Sequence, residues 1–244
     1  MQNPKVLLCA PVSSHKHYIL WKWLNYIQTL TYKNYEILLI DNSHDPHYHK
    51  QITRAGINCI YYKPQPNQDA KSYIVESRNI GRQYAIDNNF DYFFSLEEDI
   101  FTHRNIIELL LRHNKKVCGG AYFIGEGRSS HLLAENIHTY KYTHQGKPYT
   151  HDYIYTMPAV ESFLHHTGQL RPSYGHGLGC LLIHKHVFTL IPFRVSQTEK
   201  APDDHFFNQD MHHAGIQNYL DTSIQIIHHN NNILYKHHDY KDNK

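Results

Sequence analysis

The amino-acid sequence predicts a single α/β domain built on a mostly parallel sheet with helices on both faces. Short apolar runs alternate along the chain with amphipathic segments of helical length, which is the order of parallel strands joined by crossover helices. The chain has 244 residues, of which 41% are hydrophobic, and this is enough for one substantial core. Neither an internal repeat nor a linker-like stretch indicates a second domain.

The first half of the chain shows the alternation most clearly. KVLLCA, residues 5–10, predicts a strand that ends at Pro11, and Ser13 and Ser14 are suitable N-caps for an amphipathic helix over 16–30. The same reasoning predicts, in order, strands over 35–40 and 58–62, a helix over 72–87 and a strand that starts at residue 92 and runs into an acidic triplet at 97–99.

The second half of the chain is less regular. Its predicted elements are, in order, a helix over 104–113, a strand over 116–123, a strand entering a helix over 179–188, a helix from 203 to near Gly215 and a last strand over 222–227. Residues 124–172 are rich in Gly, His, Tyr and Thr, and they predict loops and a small hairpin, with a weak strand at 154–157. Residues 231–244 predict a loose polar tail.

Composition and charge exclude some classes of protein. The formal net charge of +2 provides no broad basic surface, so contact with nucleic acid would need a local patch. No segment resembles a signal peptide, and no apolar run approaches the roughly 20 residues that cross a bilayer. The four cysteines are widely spaced and predict buried free thiols in a cytoplasmic protein. We attribute most of the 23 histidines to composition rather than to ligand binding.

The acidic triplet is the first candidate site. Ligands of open parallel sheets bind at the carboxyl ends of the strands, where Glu97, Glu98 and Asp99 fall. Buried carboxylates without partners are costly, so three in a row imply solvent, cations or a metal ion. On an extended segment Glu97 and Asp99 point to the same side and can share one divalent cation, while Glu98 points away. Alternatively, the acids cap a helix that begins near residue 103.

Two other segments extend this site. Asp41, with Asn42 and Ser43, ends the second predicted strand and could accept hydrogen bonds from a base or a ribose. Arg78 offers a bidentate fork suited to a diphosphate. Together with the acidic triplet and a histidine late in the chain, these residues predict a site for a metal-bound nucleoside diphosphate.

Five motifs, in order, resemble those of GT-A type glycosyltransferases of the family-2-like group that is common in bacteria and phages. The motifs are IDNS for the Asp turn of the second strand, SRNIGRQYAIDNNFDYFFSLEEDI for the ARN helix and DxD strand, VCGGAYF for the GGxYF strand, GHGLGCLLIHKHVF for the acceptor-side strand and DDHFFNQDMHHAGIQNYLDTSIQIIH for the closing block. The resemblance implies a GT-A domain over 1–230, with a nucleotide-binding half over 1–100 and an acceptor-side half over 101–230.

The resemblance also implies a metal site. Asp99 would be the principal ligand of Mn²⁺ or Mg²⁺, with Glu97 in the first position of the DxD motif, where the family has Asp. His228 would complete the metal shell, and His229 is its rival because one step of strand register exchanges them. Pro11, Val12, Asp41, Asn42, Arg78, Glu97 and Glu98 are then the nucleotide-binding candidates.

On the acceptor side, the resemblance makes Asp204 the general base, with Asp203 as the alternative. A base in this position implies a direct displacement that inverts the sugar configuration. Gly177 and Gly179 would let the backbone approach donor sugar or acceptor closely, and His176 faces the same region.

The predicted function is a metal-dependent glycosyltransferase that uses a nucleotide-diphosphate sugar, with uridine as the commonest base that the resemblance implies, and an acceptor glycan or other hydroxyl compound. A nucleotidyltransferase is disfavoured because APVSSHKHY, after the first strand, is not a glycine-rich loop with Arg and Lys. A non-catalytic carbohydrate- or nucleic-acid-binding protein of the same fold and a DNA-base glycosyltransferase stay open as alternatives.

Overall fold

The computed structural model of the chain describes residues 3–120, 122–124, 131–135, 140–144, 147–151, 154–155, 170–196, 198, 201–224, 226–230 and 233–235. The strands in these ranges are β1 (Val6–Val12), β2 (Tyr35–Asp41), β3 (Cys59–Tyr61), β4 (Tyr92–Leu96), β5 (Ile100–Phe101), β6 (Val117–Gly120), β7 (Phe123–Ile124), β8 (His131–Glu135), β9 (Tyr140–His144), β10 (Lys147–His151), β11 (Ile154–Tyr155), β12 (Leu170–Ser173), β13 (Gly175–His176), β14 (Cys180–His184), β15 (Asn218–Asp221), β16 (Ile227–Asn230) and β17 (Ile233–Tyr235). The helices are α1 (His17–Ile27), preceded by a 3₁₀ turn at Ser14–Lys16, α2 (His47–Arg54), α3 (Ala70–Asp87), α4 (Ile106–Leu111), α5 (Lys185–Leu190) and α6 (Asp203–His213).

A mixed sheet of eight strands forms the centre of the molecule, in the order β12-β15-β6-β14-β4-β1-β2-β3. The strands of the first half are parallel, since β1 pairs in parallel with both β2 and β4, and β2 with β3. In the second half β14 runs antiparallel to both of its neighbours, β4 and β6, and β12 runs antiparallel to β15. β15 pairs in parallel with β6, so four of the seven strand pairings among the described residues of this sheet are parallel and three are antiparallel. The fold is therefore α/β as predicted, with a mixed sheet in which parallel pairings are the majority.

Helices cover both faces of this sheet, as predicted. Along β1 the side chains alternate, so that Val6 and Leu8 enter one hydrophobic cluster while Leu7 and Cys9 enter the other. The first cluster also takes apolar residues from α1, α2 and α4, and the second takes them from α3, α5 and α6. Strands buried on both faces explain the nearly continuous apolar runs in the sequence.

Most of the predicted elements are present, with ends shifted by a few residues, but α2 is missing from the prediction. Its sequence, HYHKQITR, is polar, and only Tyr48 and Ile52 are buried. These two residues lie four positions apart, which is enough to seat one short helix on the sheet but too little to stand out as an apolar pattern.

The predicted strand over 222–227 is wrong. The Asp221 carboxylate ends β15 by accepting hydrogen bonds from the backbone N–H and the hydroxyl of Ser223, at 2.9 and 2.5 Å. Such a local bond turns the chain, and the strands lie on either side of the turn, as β15 and β16. Downstream, Ile233–Tyr235 forms a strand against β16, so this part of the predicted tail is ordered structure.

Residues 124–172 contain more strands than predicted. The expected hairpin is present as β9 and β10, which pair antiparallel, and the weak strand is present at Ile154–Tyr155. Residues 156 and 157 of that prediction, and 236–244 of the tail, lie outside the described residues. All four cysteines are free thiols, and Cys9, Cys118 and Cys180 are buried as predicted, whereas Cys59 is half-buried. Within the described ranges, no helix combines the length and apolarity that a membrane span requires.

Candidate functional site

A pocket of about 330 Å³ opens where β1, β2 and β4 end. These strands are parallel neighbours, so their carboxyl ends meet at one edge of the sheet, and Val12 is in register with Asp41. The predicted site residues that line the pocket are Pro11, Val12, Asn42, Arg78, Glu97, Glu98 and Asp203. Ser13, His15, Lys16, Tyr73 and Ile74 line it as well.

The acidic triplet forms a turn. The backbone N–H of Ile100 donates to the carbonyl oxygen of Glu97 at 3.0 Å, which closes the turn around Glu98 and Asp99. The extended geometry assumed in the prediction is therefore wrong. Each of the three carboxylates has partners of its own instead of sharing one side of a strand.

Arg78 joins two of the predicted acids. Its Nε donates to Asp203 Oδ2 at 2.7 Å and one terminal nitrogen donates to Glu97 Oε1 at 2.5 Å, while the other donates to Ser95 Oγ at 3.0 Å. The side chain is only 4% exposed. The fork that was predicted to hold a diphosphate is thus engaged by two carboxylates and a hydroxyl, which together compensate the burial of the guanidinium charge.

Asp99 is the most enclosed acid of the site. Its carboxylate is 2% exposed, and Oδ2 lies 2.7 Å from Lys16 Nζ and 3.2 Å from His228 Nε2. Its Oδ1 is buried and has no hydrogen-bond partner among the described residues. Burial opposes ionisation, but the bond from His228 and the charge of Lys16 outweigh it, so the pKa of Asp99 is lowered.

The pairing of β16 with β5 gives the two candidate histidines different surroundings. His228 is in register with Ile100, which places its imidazole on the Asp99 carboxylate. The backbone N–H of His229 donates to the Asp99 carbonyl oxygen at 2.8 Å, and its ring packs near Tyr18 with centroids 5.9 Å apart. Of the two histidines, His228 is therefore the one whose ring contacts the Asp99 carboxylate, the predicted metal ligand.

Glu98 is a largely buried residue of the pocket wall. It is 3% exposed, and Oε1 accepts a hydrogen bond from the backbone N–H of Ser13 at 3.1 Å, while Oε2 has no partner among the described residues. Burial raises the pKa of Glu98 to about 8, although the nearby Lys16 charge opposes the shift. Glu98 thus ties the acidic turn to the end of β1.

Asp203 and Asp204 begin α6. Asp203 is paired with Arg78, whereas Asp204 accepts a hydrogen bond from the backbone N–H of His205 at 2.8 Å. Burial, reinforced by the charge of Asp203, raises the pKa of Asp204 to about 6. A carboxylate with a pKa near neutrality is suited to accept a proton in catalysis.

The end of β2 carries two polar side chains with unused acceptors. Asp41 Oδ1 accepts hydrogen bonds from the backbone and the hydroxyl of Ser43, at 2.9 and 2.6 Å, and Oδ2 is buried and has no partner within the described part of the chain. Asn42 donates to Ser77 Oγ at 3.2 Å, and its Oδ1 has no partner among the described residues. Asn42 lines the pocket, whereas Asp41 lies outside the lining.

The predicted acceptor-side residues lie in the interior. His176 is 1% exposed, and its ring nitrogens lie 3.3 and 3.2 Å from the carbonyl oxygens of Gly177 and Tyr219. Burial lowers the pKa of His176, which favours the neutral ring. The backbone N–H of Gly179 donates to the Tyr122 hydroxyl at 2.9 Å, and a Cβ at residue 179 would lie 2.6 Å from that hydroxyl.

Lys16 and Tyr122 belong to the site but were not predicted. The Tyr122 ring packs against that of His228 with centroids 5.6 Å apart, and burial with the charges of Glu97 and Asp204 raises its pKa. Lys16 could have been predicted as a site residue from its position shortly after a parallel strand, because ligands bind beyond the carboxyl ends of such strands.

Few of the described side chains are arranged as ligands of a metal ion. No group of three or more His, Cys, Asp and Glu side chains among them has the arrangement of a metal site. Asp99 and His228 nevertheless adjoin each other, and the buried Oδ1 of Asp99 is available.

Comparisons with known proteins concern the fold only. No protein-family model matches the sequence, and no curated protein matches it. A solved structure, A197 from STIV, superposes with a TM-score of 0.50 over 96% of this chain and 95% of that one, with 12% sequence identity. At this identity the likeness is one of α/β architecture.

Proposed function

We propose that this protein is a metal-dependent glycosyltransferase of the GT-A fold, which transfers a sugar from a nucleoside-diphosphate donor to a hydroxyl group. The observation that carries the proposal is the convergence of five separate segments on one pocket, at the ends of β1, β2 and β4, on α3 and at the start of α6. The volume of about 330 Å³ is within the usual range for small-molecule sites.

The donor half of the pocket offers groups suited to a nucleotide. Asn42 Oδ1 faces no protein donor in the described structure and can accept a hydrogen bond from a base or a ribose hydroxyl. Lys16 brings a positive charge to the pocket wall, which suits a diphosphate. Arg78 holds Glu97 and Asp203 in place and so fixes the shape of the pocket between them.

The residues at Asp99 fit a divalent cation. Asp99 and His228 would hold it, because a carboxylate oxygen without a partner and an adjacent imidazole are donors that Mn²⁺ accepts. A bound ion would act as a Lewis acid that neutralises charge on the departing diphosphate. Glu97 is assigned to Arg78 rather than to the ion, since these two side chains are already paired at 2.5 Å.

Asp204 is the better of the two candidates for the general base. Asp203 is held in an ion pair with Arg78, whereas the Asp204 carboxylate has a pKa of about 6 and is mostly ionised at neutral pH. In the proposed reaction Asp204 takes the acceptor hydroxyl proton as the oxygen bonds to the anomeric carbon. The bond from that carbon to the diphosphate oxygen breaks in the same step, which inverts the sugar configuration.

Thermal unfolding with a panel of nucleoside diphosphates, each with and without Mn²⁺, tests this function. A ligand that binds the folded protein raises the melting temperature by mass action. We expect one nucleotide to raise it by several degrees only when Mn²⁺ is present, and we expect Asp99→Asn to abolish this shift. Asp87→Asn, at the exposed end of α3, is the matched control. A folded protein that responds to no nucleotide would contradict the proposal.

A further inference from the structure

We propose that Lys16 is a resident cation of the Asp99 site, which a divalent ion must displace and which then binds the donor diphosphate. This inference rests on the proposed function and deepens it. It makes Lys16 the residue that couples ion binding to donor binding.

The geometry places the lysine where the ion is expected. Lys16 Nζ lies 2.7 Å from Asp99 Oδ2, the same oxygen that His228 Nε2 approaches at 3.2 Å. An ion held by Asp99 and His228 would therefore lie close to the ammonium group. Two cations beside one buried carboxylate repel each other, so the ion and the Lys16 ammonium compete for Asp99.

Lys16 can leave without rearrangement of the backbone. Its side chain is 36% exposed, in contrast to 3% for Asp99, and it lines the open pocket. The backbone N–H of Lys16 donates to the Ser13 carbonyl oxygen at 2.9 Å, which holds the 3₁₀ turn in place. Only the flexible four-carbon stem has to move.

After displacement, the Lys16 ammonium group would move into the pocket that its side chain lines. Glu97 is already bound to Arg78, and Glu98 is 3% exposed and bound to the Ser13 N–H. Each of the three nitrogens of the Arg78 guanidinium already donates a hydrogen bond to a side-chain oxygen of the protein. Lys16 is thus the pocket cation that ion binding releases, and a diphosphate supplies the anionic oxygens that its three N–H donors need.

This exchange predicts positive coupling between ion and donor. Ion binding frees Lys16 for the diphosphate, and by thermodynamic reciprocity donor binding removes a competitor from Asp99. Lys16 should therefore weaken ion binding in the absence of nucleotide and strengthen the dependence of nucleotide binding on the ion.

The experiment measures Mn²⁺ binding without nucleotide, from the electron paramagnetic resonance signal of the free ion. We expect Lys16→Met, which removes the charge, to bind Mn²⁺ at least about tenfold more tightly than the unmodified protein. Lys16→Arg keeps a positive charge and should stay within about twofold. Lys22→Met is the control, because Lys22 lies on α1 with its ammonium over the Phe101 ring at 5.4 Å. Lys16→Gln repeats the test if the methionine variant unfolds.

Calorimetric titration with UDP then measures the coupling. Mn²⁺ should strengthen UDP binding by a factor at least about threefold smaller in Lys16→Met than in the unmodified protein. Equal Mn²⁺ affinities in these two proteins, with binding abolished by Asp99→Asn, would overturn the role of Lys16 and leave the glycosyltransferase proposal standing. Failure of the unmodified protein and every variant to bind either Mn²⁺ or UDP would overturn both.

Discussion

Asp203 and Asp204 are adjacent in the sequence, yet their surroundings give them different chemistry. Asp203 is neutralised by a buried arginine at 2.7 Å. Asp204 forms no ion pair with the described residues and experiences both burial and the negative charge of its neighbour, so its pKa rises to about 6. Two identical side chains thus acquire the roles of a structural anchor and a candidate base.

The pH dependence of transfer tests this division. Asp204 must be ionised to accept a proton, so the rate should rise about tenfold per pH unit below pH 6 and level off above it. Asp203→Asn removes a negative charge that repels the Asp204 carboxylate, and it also removes one of the two carboxylates that offset the positive charge of Arg78. Both effects lower the pKa of Asp204 and should move the acid limb to lower pH. Initial rates at saturating donor measure the limb, and an unchanged limb in Asp203→Asn would contradict the assignment.

Asp204→Asn tests the base directly. Loss of the proton acceptor should reduce the transfer rate by about 10²- to 10⁴-fold. The Mn²⁺ affinity should stay unchanged, because the Asp204 carboxylate is bonded to the His205 N–H whereas that of Asp99 is bonded to Lys16 and His228. A variant that retains the full rate would place the base elsewhere.

At the scale of elements, α3 packs very closely on β1. A Cβ at Gly81 would collide with Cys9 Sγ, a buried atom of the strand below. The missing side chain lets the helix approach the sheet, and the same helix carries Arg78 to the site. The helix position, and with it the position of Arg78, depends on this contact.

Gly81→Ala should therefore destabilise the protein by about 1–2 kcal/mol, since overpacking outweighs the gain in helix propensity. Urea unfolding measures the change, with Glu76→Ala on the exposed side of α3 as the control. Cys9→Ala in the same chain should recover part of the loss, because it removes the colliding atom. Additive losses in the double variant would show that the collision is not the cause.

At the scale of the whole molecule, the central strands of the sheet differ from its two edge strands in their backbone pairing. β1, β4 and β14 each pair with a strand on both sides, whereas β3 and β12 lie at the ends of the strand order. Backbone hydrogen bonds at the centre can open only when much of the sheet opens.

Amide hydrogen exchange should follow this order. We expect the slowest exchange in Val6–Val12, Tyr92–Leu96 and Cys180–His184, at rates set by global unfolding. Cys59–Tyr61 and Leu170–Ser173 should exchange faster by orders of magnitude. Mass spectrometry of peptic fragments measures both groups, and equal protection of the edge strands would contradict the strand order.

The sequence predicts the site better than it predicts the bonds within it. Apolar runs that end in polar residues identify Val12, Asn42 and Glu97 as neighbours, because parallel strands bring their carboxyl ends to one edge. The partners of Arg78 are not predictable in this way, since Asp203 is 125 positions distant and its approach depends on how α6 packs. The acidic turn likewise depends on the Ser13 N–H that Glu98 meets, a contact between separate segments.

The same limit applies to the second half of the fold. The contact of the His228 ring, rather than the His229 ring, with the Asp99 carboxylate follows from the register of β16 on β5, and that register is not visible in a run of two histidines. Nor does any local pattern distinguish an antiparallel β14 from a parallel strand. A propensity for extended structure defines a strand but not its neighbours.

The position of β14 also has a consequence for biosynthesis. β14 is made late but pairs with β4, which is made early, so the nascent chain carries the apolar edge of β4 without its partner. At about 5–20 residues per second, this edge waits several seconds for Cys180–His184 to leave the ribosome. An unpaired apolar strand can associate with other chains in that interval. Slow synthesis or premature termination before β14 should therefore yield aggregated rather than partly active protein.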